Sequence, residues 1–202
     1  MKKLYQITRK LWHIGDYMTH LITKYIFWGN EVVYSSFRTC GIPYINTGKK
    51  GGLLMIGDNF AMNNRLVGNN IGCDVPCTFS IREKCKIKIG NNVGMSQTTL
   101  VAFEDIIIGN NVKIGGGTCI YTSDFHSLNY KIRQTSDDYT KKKNAPVVIA
   151  DDVFIGAHCI ILKGVVIGRR SIIGAGSVVT KSVPDEEIWA GNPARFVRKI
   201  DY

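Results

Sequence analysis

Asp124 and His126, one residue apart, stand in a stretch that begins Tyr-Thr-Ser-Asp-Phe-His-Ser-Leu-Asn-Tyr and then turns polar and charged, residues 121–146. A histidine near its ordinary pKa of about 6.5 exchanges protons at neutral pH, which makes His126 a candidate general base. Its plain alternative is an inert surface imidazole. Asp124 is a candidate to orient or polarise that ring, to bind a substrate, or only to cap the loop. Of the other histidines, His13 and His20 belong to the N-terminal segment and His158 to a regular pattern described below.

The six cysteines, at 40, 73, 77, 85, 119 and 159, offer weaker chemistry. A disulfide framework calls for a secreted context, and no uninterrupted apolar run follows the charged start at residues 1–3. Cys73 and Cys77 have a loose zinc spacing, with neither a second pair nor a nearby histidine to complete four ligands. Reduced, buried thiols are expected, with no metal; Cys119 is read as occupying a small core position. No serine sits in a nucleophile elbow, so an acyl-enzyme route through Cys or Ser is disfavoured.

The frame that must carry the loop is legible as a repeat. From Ile149 an aliphatic residue recurs every six places: Ile155, Ile161, Ile167, Ile173 and Val179. Small or turn-tolerant residues follow most of these, and small or β-branched ones come four places later, as at Val153, Cys159, Val165, Ser171 and Ser177. The register continues upstream through Ile89, Met95 and Val101, then, after one inserted residue, through Ile108, Ile114 and Ile120, with Ile71 and Ile56 as earlier members. A period of six is neither that of a strand nor that of a helix. It fits a short extended segment and a corner, three of which close a triangular coil. The 21 glycines, with Asn91, Asn92, Asn110 and Asn111, supply residues tolerant of positive φ at corners. Residues 121–146 interrupt this frame, and a solenoid has no structural need for such an excursion.

On these residues the chain resembles the hexapeptide-repeat acyltransferases over roughly residues 53–199. From Tyr121 onward it is similar to the sugar O-acetyltransferases of capsule and lipopolysaccharide clusters, and to the maltose, galactoside and virginiamycin enzymes. The resemblance implies an all-β left-handed parallel β-helix with a short N-terminal helical segment and a C-terminal cap. The expected division is residues 1–50 as that N-terminal segment and residues 51–199 as the β-helix with its inserted loop. It implies acetyl-CoA as co-substrate, no metal, a homotrimer with active sites between subunits, and His126 as the base for direct transfer to a saccharide hydroxyl. By the same likeness Ala157, Gly174, Ala175, Thr180, Lys181, Arg195 and Arg198 contact acetyl-CoA, whose phosphates call for cations. Ser96, with Asp124, is carried over as an acceptor contact. Phe154 departs from the family, which often has Trp there. Rival activities are amino-sugar N-acetylation and antibiotic O-acetylation. A zinc γ-carbonic anhydrase would need a closely spaced histidine pair, and a non-catalytic scaffold would not need the loop.

The net charge of +10 favours anionic partners, yet no nucleic-acid module is present. Leu4, Ile7, Leu11, Ile14, Met18, Leu21 and Tyr25 form an apolar stripe at helical spacing. That stripe is expected to pack on the β-helix or on a neighbouring subunit. Peripheral membrane association through residues 1–28 is the alternative, and a cytoplasmic location, at the inner membrane face in that alternative, is the corresponding expectation.

Overall fold

A computed structural model describes residues 2–48, 51–65, 71–73 and 75–201, with the backbone alone for 2–14. Helix α1 (Lys2–Gly29) leads into a stack of short strands. The first coil holds β1 (Val33–Tyr34), β2 (Phe37–Cys40) and β3 (Tyr44–Asn46). The second holds β4 (Leu53–Ile56), β5 (Phe60–Asn63) and β6 (Thr78–Ile81), and the third β7 (Lys86–Ile89), β8 (Gly94–Ser96) and β9 (Thr99–Ala102). The fourth comprises β10 (Ile106–Ile108), β11 (Lys113–Ile114) and β12 (Cys119–Tyr121), after which the loop carries the short helix α2 (Tyr130–Arg133). Strands β13 (Val147–Ile149), β14 (Phe154–Ile155) and β15 (Ile160–Ile161) make the fifth coil, and β16 (Val166–Ile167), β17 (Ile172–Ile173) and β18 (Val178–Val179) the sixth. An antiparallel hairpin of β19 (Glu187–Gly191) and β20 (Ala194–Lys199) ends the chain, with β19 paired to β17.

Strands recur in three parallel sheets: β1-β4-β7-β10-β13-β16, β2-β5-β8-β11-β14-β17, which the hairpin extends, and β3-β6-β9-β12-β15-β18. This is the parallel β-helix expected from the period of six. Ile149, Ile155, Ile161, Ile167, Ile173 and Val179 are all fully buried and form continuous ladders with Ile108, Ile114 and Ile120. Each buried side chain of this size contributes about 1.5–3 kcal/mol.

The register differs from the sequence reading in two places. Ile120 stacks on Leu100, not on Val101, because the corner at Gln97 is one residue shorter than its counterpart in the next coil. Ile71 is exposed and outside the ladder, and Ile56 pairs with Ile89 directly. Strands β1–β3 also join the stack, so pairing starts at Val33, ahead of the expected boundary between residues 50 and 51.

The three corners are built differently. Between the first and second sheets, Asn59, Asn92, Asn111 and Asp152 all have φ between 54° and 62°. Their side chains form a hydrogen-bonded ladder, each amide donating to the next residue's oxygen at 2.9–3.1 Å. The second corner is mostly small residues in the later coils, Gly115–Gly117, Gly156–Ala157 and Gly174–Gly176. The third carries the loop.

Helix α1 rests on β2 through Thr23, Phe27 and His20, whose ring stacks on Phe37 at 4.5 Å, and Asp16 is ion-paired to Arg65. The apolar stripe does not face the coils: Met18, Leu21 and Tyr25 are exposed. The side chains of Leu4, Ile7, Leu11 and Ile14 lie outside the described residues. Among the described residues no helix is long and apolar enough to cross a membrane.

Candidate active site

The loop leaves the third corner at Thr122 and returns at Ala145. Its neck is closed by a bridge between Ser123 and Asn144, by the Ala145 N–H donating to the Thr122 carbonyl at 3.0 Å, and by the Asp124 N–H donating to Lys143 at 3.0 Å. Buried Thr122 accepts from the Phe103 and Glu104 amides at 2.7 and 3.1 Å. Farther out, Tyr139 and Phe125 pack edge-on against Phe103, and Lys142 Nζ sits 3.2 Å from the Tyr139 ring centre. The Arg82 guanidinium lies 4.8 Å from the Phe103 centre. Burial and the nearby Arg82 push the Lys142 ammonium below the ordinary lysine value.

Inside this frame the chain reverses over three residues. The His126 N–H donates to the Asp124 carbonyl at 2.7 Å around Phe125, which has φ of 62°. A non-glycine residue with such a φ costs on the order of 1–3 kcal/mol, and such turns recur at functional sites. The reversal separates the partners of the two side chains. Asp124 reaches Lys163 Nζ, at 2.6 Å, on the third corner of the next coil. Its Oδ2 is buried without a hydrogen-bond partner.

The carboxylate that holds His126 is therefore not Asp124, the candidate read from the sequence, but Asp138. His126 Nδ1 lies 2.6 Å from Asp138 Oδ2, and the Ser127 N–H donates to Oδ1 at 2.7 Å. Those two hydrogen bonds, the His126 bond first, hold the Asp138 carboxyl below the ordinary aspartate value. An ionised carboxylate only accepts, so the proton of a neutral imidazole resides on Nδ1 and the Nε2 lone pair is free. The His126 side chain is 67% exposed, presenting that lone pair to solvent. Nothing near His126 in sequence pointed to Asp138; the only trace is the Asp137–Asp138 pair in a stretch otherwise rich in Lys and Thr. Lys163, hidden in a regular repeat, was equally unmarked.

Other site candidates divide between corners. Thr180 and Lys181 follow β18 on the third corner, two coils beyond the loop, and both are exposed. Ala157, Gly174 and Ala175 lie on the second corner, and Ser96 ends β8 beside it. There the glycines serve stacking as well as access: a Cβ on Gly156 would come within 2.5 Å of the Ala175 nitrogen, whereas Ala175 itself is exposed and Gly176 is open. His158 is on this corner too, with φ of 57°, taking the place of a corner glycine and approaching Cys73 at 3.8 Å. Ser96 also opens onto a 480 Å³ groove on the outer face of the second sheet, lined by Arg38, Asn63, Lys113 and Phe154 among others. Arg195 and Arg198 are exposed on β20, where each donates to a backbone carbonyl at 3.0 Å. A single chain thus gathers His126, Asp138, Asp124, Lys163, Thr180 and Lys181 along one corner and leaves Ser96, Ala157, Gly174, Ala175 and the terminal arginines elsewhere.

Cys77 and Cys159 are fully buried in the coils, and burial pushes the Cys77 thiol up to about 11. Cys119, expected in the core, is half-buried on the outward side of β12 beside Tyr121. The described residues contain no group of three or more His, Cys, Asp or Glu able to hold a metal.

Comparison with known proteins agrees with this architecture. Residues 146–181 match the family described as bacterial transferase hexapeptide (six repeats). The galactoside O-acetyltransferase of Escherichia coli is 35% identical over 136 residues, 67% of this chain and 64% of that protein. The hexapeptide-repeat acetyltransferase VCA0836 of Vibrio cholerae, solved with acetyl coenzyme A, superposes with a TM-score of 0.51 at 27% identity, covering 85% of this chain and 72% of that one. A point mutant of AntD, an N-acyltransferase from Bacillus cereus solved with dTDP and coenzyme A, gives a TM-score of 0.60 at 26% identity, covering 84% of each chain. The chain spans less than two thirds of the length of the curated relatives it matches.

Proposed function

We propose, from the premise that the chain belongs to the hexapeptide-repeat acyltransferases, that it transfers an acetyl group from acetyl-CoA to a sugar hydroxyl. The observation that carries this reading is the His126–Asp138 pair, presented on a pinned loop with one ring nitrogen held and the other free. Asp138 fixes the ring and its tautomer. His126 Nε2 takes the proton of the acceptor hydroxyl as its oxygen attacks the thioester carbonyl. The tetrahedral adduct collapses with loss of the coenzyme A thiolate, which receives that proton from the imidazolium. Asp124, paired with Lys163, is retained as an acceptor contact, and Ser96 is a second one. Lys181, Arg195 and Arg198 are assigned to the phosphates, and Ala157, Gly174, Ala175 and Thr180 to the pantetheine arm.

The division of these residues between corners supports a homotrimer. A ring of three copies closes when one corner of each meets a different corner of the next, which sets the His126 loop of one copy against the small-residue corner of another. A cytoplasmic location follows from the need for acetyl-CoA.

Release of free thiol from acetyl-CoA, followed across a set of sugars, nucleotide sugars and oligosaccharides, tests the reaction. A hydroxyl acceptor that drives thiol release in the wild type and fails with His126→Ala is the expected result. Amino-sugar N-acylation is the second reading, favoured by the likeness to AntD; amino sugars in the same panel decide between the two.

A further inference from the structure

The part of the apolar stripe of α1 that the structure describes, Met18 to Trp28, is not used by the fold that carries it. Positions 4, 7, 11, 14, 18, 21, 25 and 28, that is Leu, Ile, Leu, Ile, Met, Leu, Tyr and Trp, alternate spacings of three and four without a break. Placed on a heptad, they are its first and fourth positions over four repeats. The residues turned to the body, Asp16, Thr19, His20, Thr23, Ile26 and Phe27, occupy the opposite side. Met18, Leu21, Tyr25 and Trp28 are 42–76% exposed, the Tyr25 and Trp28 rings lying 5.8 Å apart.

We propose that α1 forms a parallel three-stranded coiled coil with the same helix of two further copies of this chain. Three features favour this occupant. A strict seven-residue repeat held over four heptads drifts about 20° per heptad on a straight helix, and winding helices together removes that drift. A flat surface asks for no such period. Second, leucine at the first heptad position with isoleucine at the fourth, as at Leu4/Ile7 and Leu11/Ile14, favours three or four strands over two. Third, the positions flanking the seam bring no like charges together across it. Lys3, Lys10, Tyr17 and Lys24 line one flank, and Thr8, Gly15, Ile22 and Gly29 line the other. The one acidic residue of the helix, Asp16, is paired with Arg65 on the body side. That tether, with His20 on Phe37, fixes each helix to its own β-helix and leaves Met18, Leu21, Tyr25 and Trp28 outward. The inference rests on the three-copy assembly proposed above.

Leu21→Lys tests it in the full chain, because Leu21 is exposed within one copy and the change spares that copy's fold. Amide hydrogen exchange over residues 4–28 and the mass at several concentrations are the measurements. In the wild-type trimer the α1 amides are expected to be protected, and Leu21→Lys should speed their exchange and weaken assembly by at least about tenfold, an amount equal to 1.4 kcal/mol. Leu21→Ile should restore both. The proposal is overturned if α1 of a trimeric wild type exchanges as fast as in Leu21→Lys. It is also overturned if protection appears only on adding phosphatidylcholine–phosphatidylglycerol vesicles, which would assign the stripe to an anionic lipid surface. Failure of the acetyl-transfer reading shows separately, as a wild-type trimer with protected α1 that releases no thiol; that result upholds the coil.

Discussion

Residues 147–181 and residues 121–146 follow each other along the chain, yet they are ordered by different forces. The first region is held by aliphatic side chains stacked at every sixth position, so each coil repeats the burial of the one before. The second has almost no aliphatic core. It is held by the neck at Thr122 and Ser123, by rings and cations around Phe103, and by the carboxylate of Asp138. The difference teaches where chemistry can be placed on such a frame. A ladder position accepts only an apolar side chain, whereas the loop tolerates polar groups because its own hydrogen bonds satisfy them.

The largest expected effect breaks the loop's chemistry without touching the ladder. His126→Ala should lower kcat by about 10²–10⁴-fold, the usual worth of a general base, while thermal unfolding and coenzyme A binding stay as in the wild type. His158→Ala is the paired control and should cost far less, since His158 holds a corner. The converse experiment is Ile155→Ala. Deleting that fully buried side chain should cost about 2–5 kcal/mol of stability, seen as a lower Tm, with kcat per folded molecule preserved. An Ile155→Ala protein that melts like the wild type would erase the distinction between the regions.

Asp138→Asn sharpens the same comparison at a smaller scale. The amide cannot fix the ring as a carboxylate does, and kcat should drop by about 10–100-fold with the KM for acetyl-CoA little changed. Asp124→Asn should instead alter the acceptor KM. The pH dependence of the loop has a definite sign. Because Asp138 titrates below its ordinary value in the folded protein, its hold on Ser127 and His126 is complete above about pH 4. That hold is lost as pH falls through the lower, folded value. Protection of the Ser127 amide, its exchange divided into the intrinsic rate at each pH, measures it, and a loss of protection that sets in at or above pH 5 as the pH is lowered would contradict the assignment. The smallest effect is expected at the cofactor end. On the role proposed for them at the phosphates, which do not change in the transition state, Lys181→Ala and Arg195→Ala should each raise the KM for acetyl-CoA by roughly tenfold, with kcat nearly constant.

The ladder was legible in the sequence because burial at a fixed period needs no knowledge of distant contacts. Ile149 through Val179 could be placed one from another. Corners were legible where they used Gly or Asn, as at Asn92 and Asn111, and were missed where the spacing changed, as at Gln97, which put Val101 in place of Leu100. The loop could be recognised as an interruption, and His126 stood out by type. Its partner did not, because Asp138 comes to His126 through a neck closed between Ser123 and Asn144, a contact no local pattern announces. Asp124 was the nearer carboxylate, and the reversal at Phe125 gave it to Lys163 instead.

The terminal hairpin bears on a hazard that a parallel stack always carries. Each coil offers the next a row of unpaired backbone groups, so an uncapped end is a template on which another molecule can add, and repeated addition makes a fibre. Here β19 takes the open edge of the second sheet and β20 runs back antiparallel, showing outward a strand with Arg195, Arg198 and Lys199 exposed. A following molecule would meet reversed strand polarity and a line of like charge. The hairpin thus disfavours end-to-end addition at the second sheet, the one whose edge it covers.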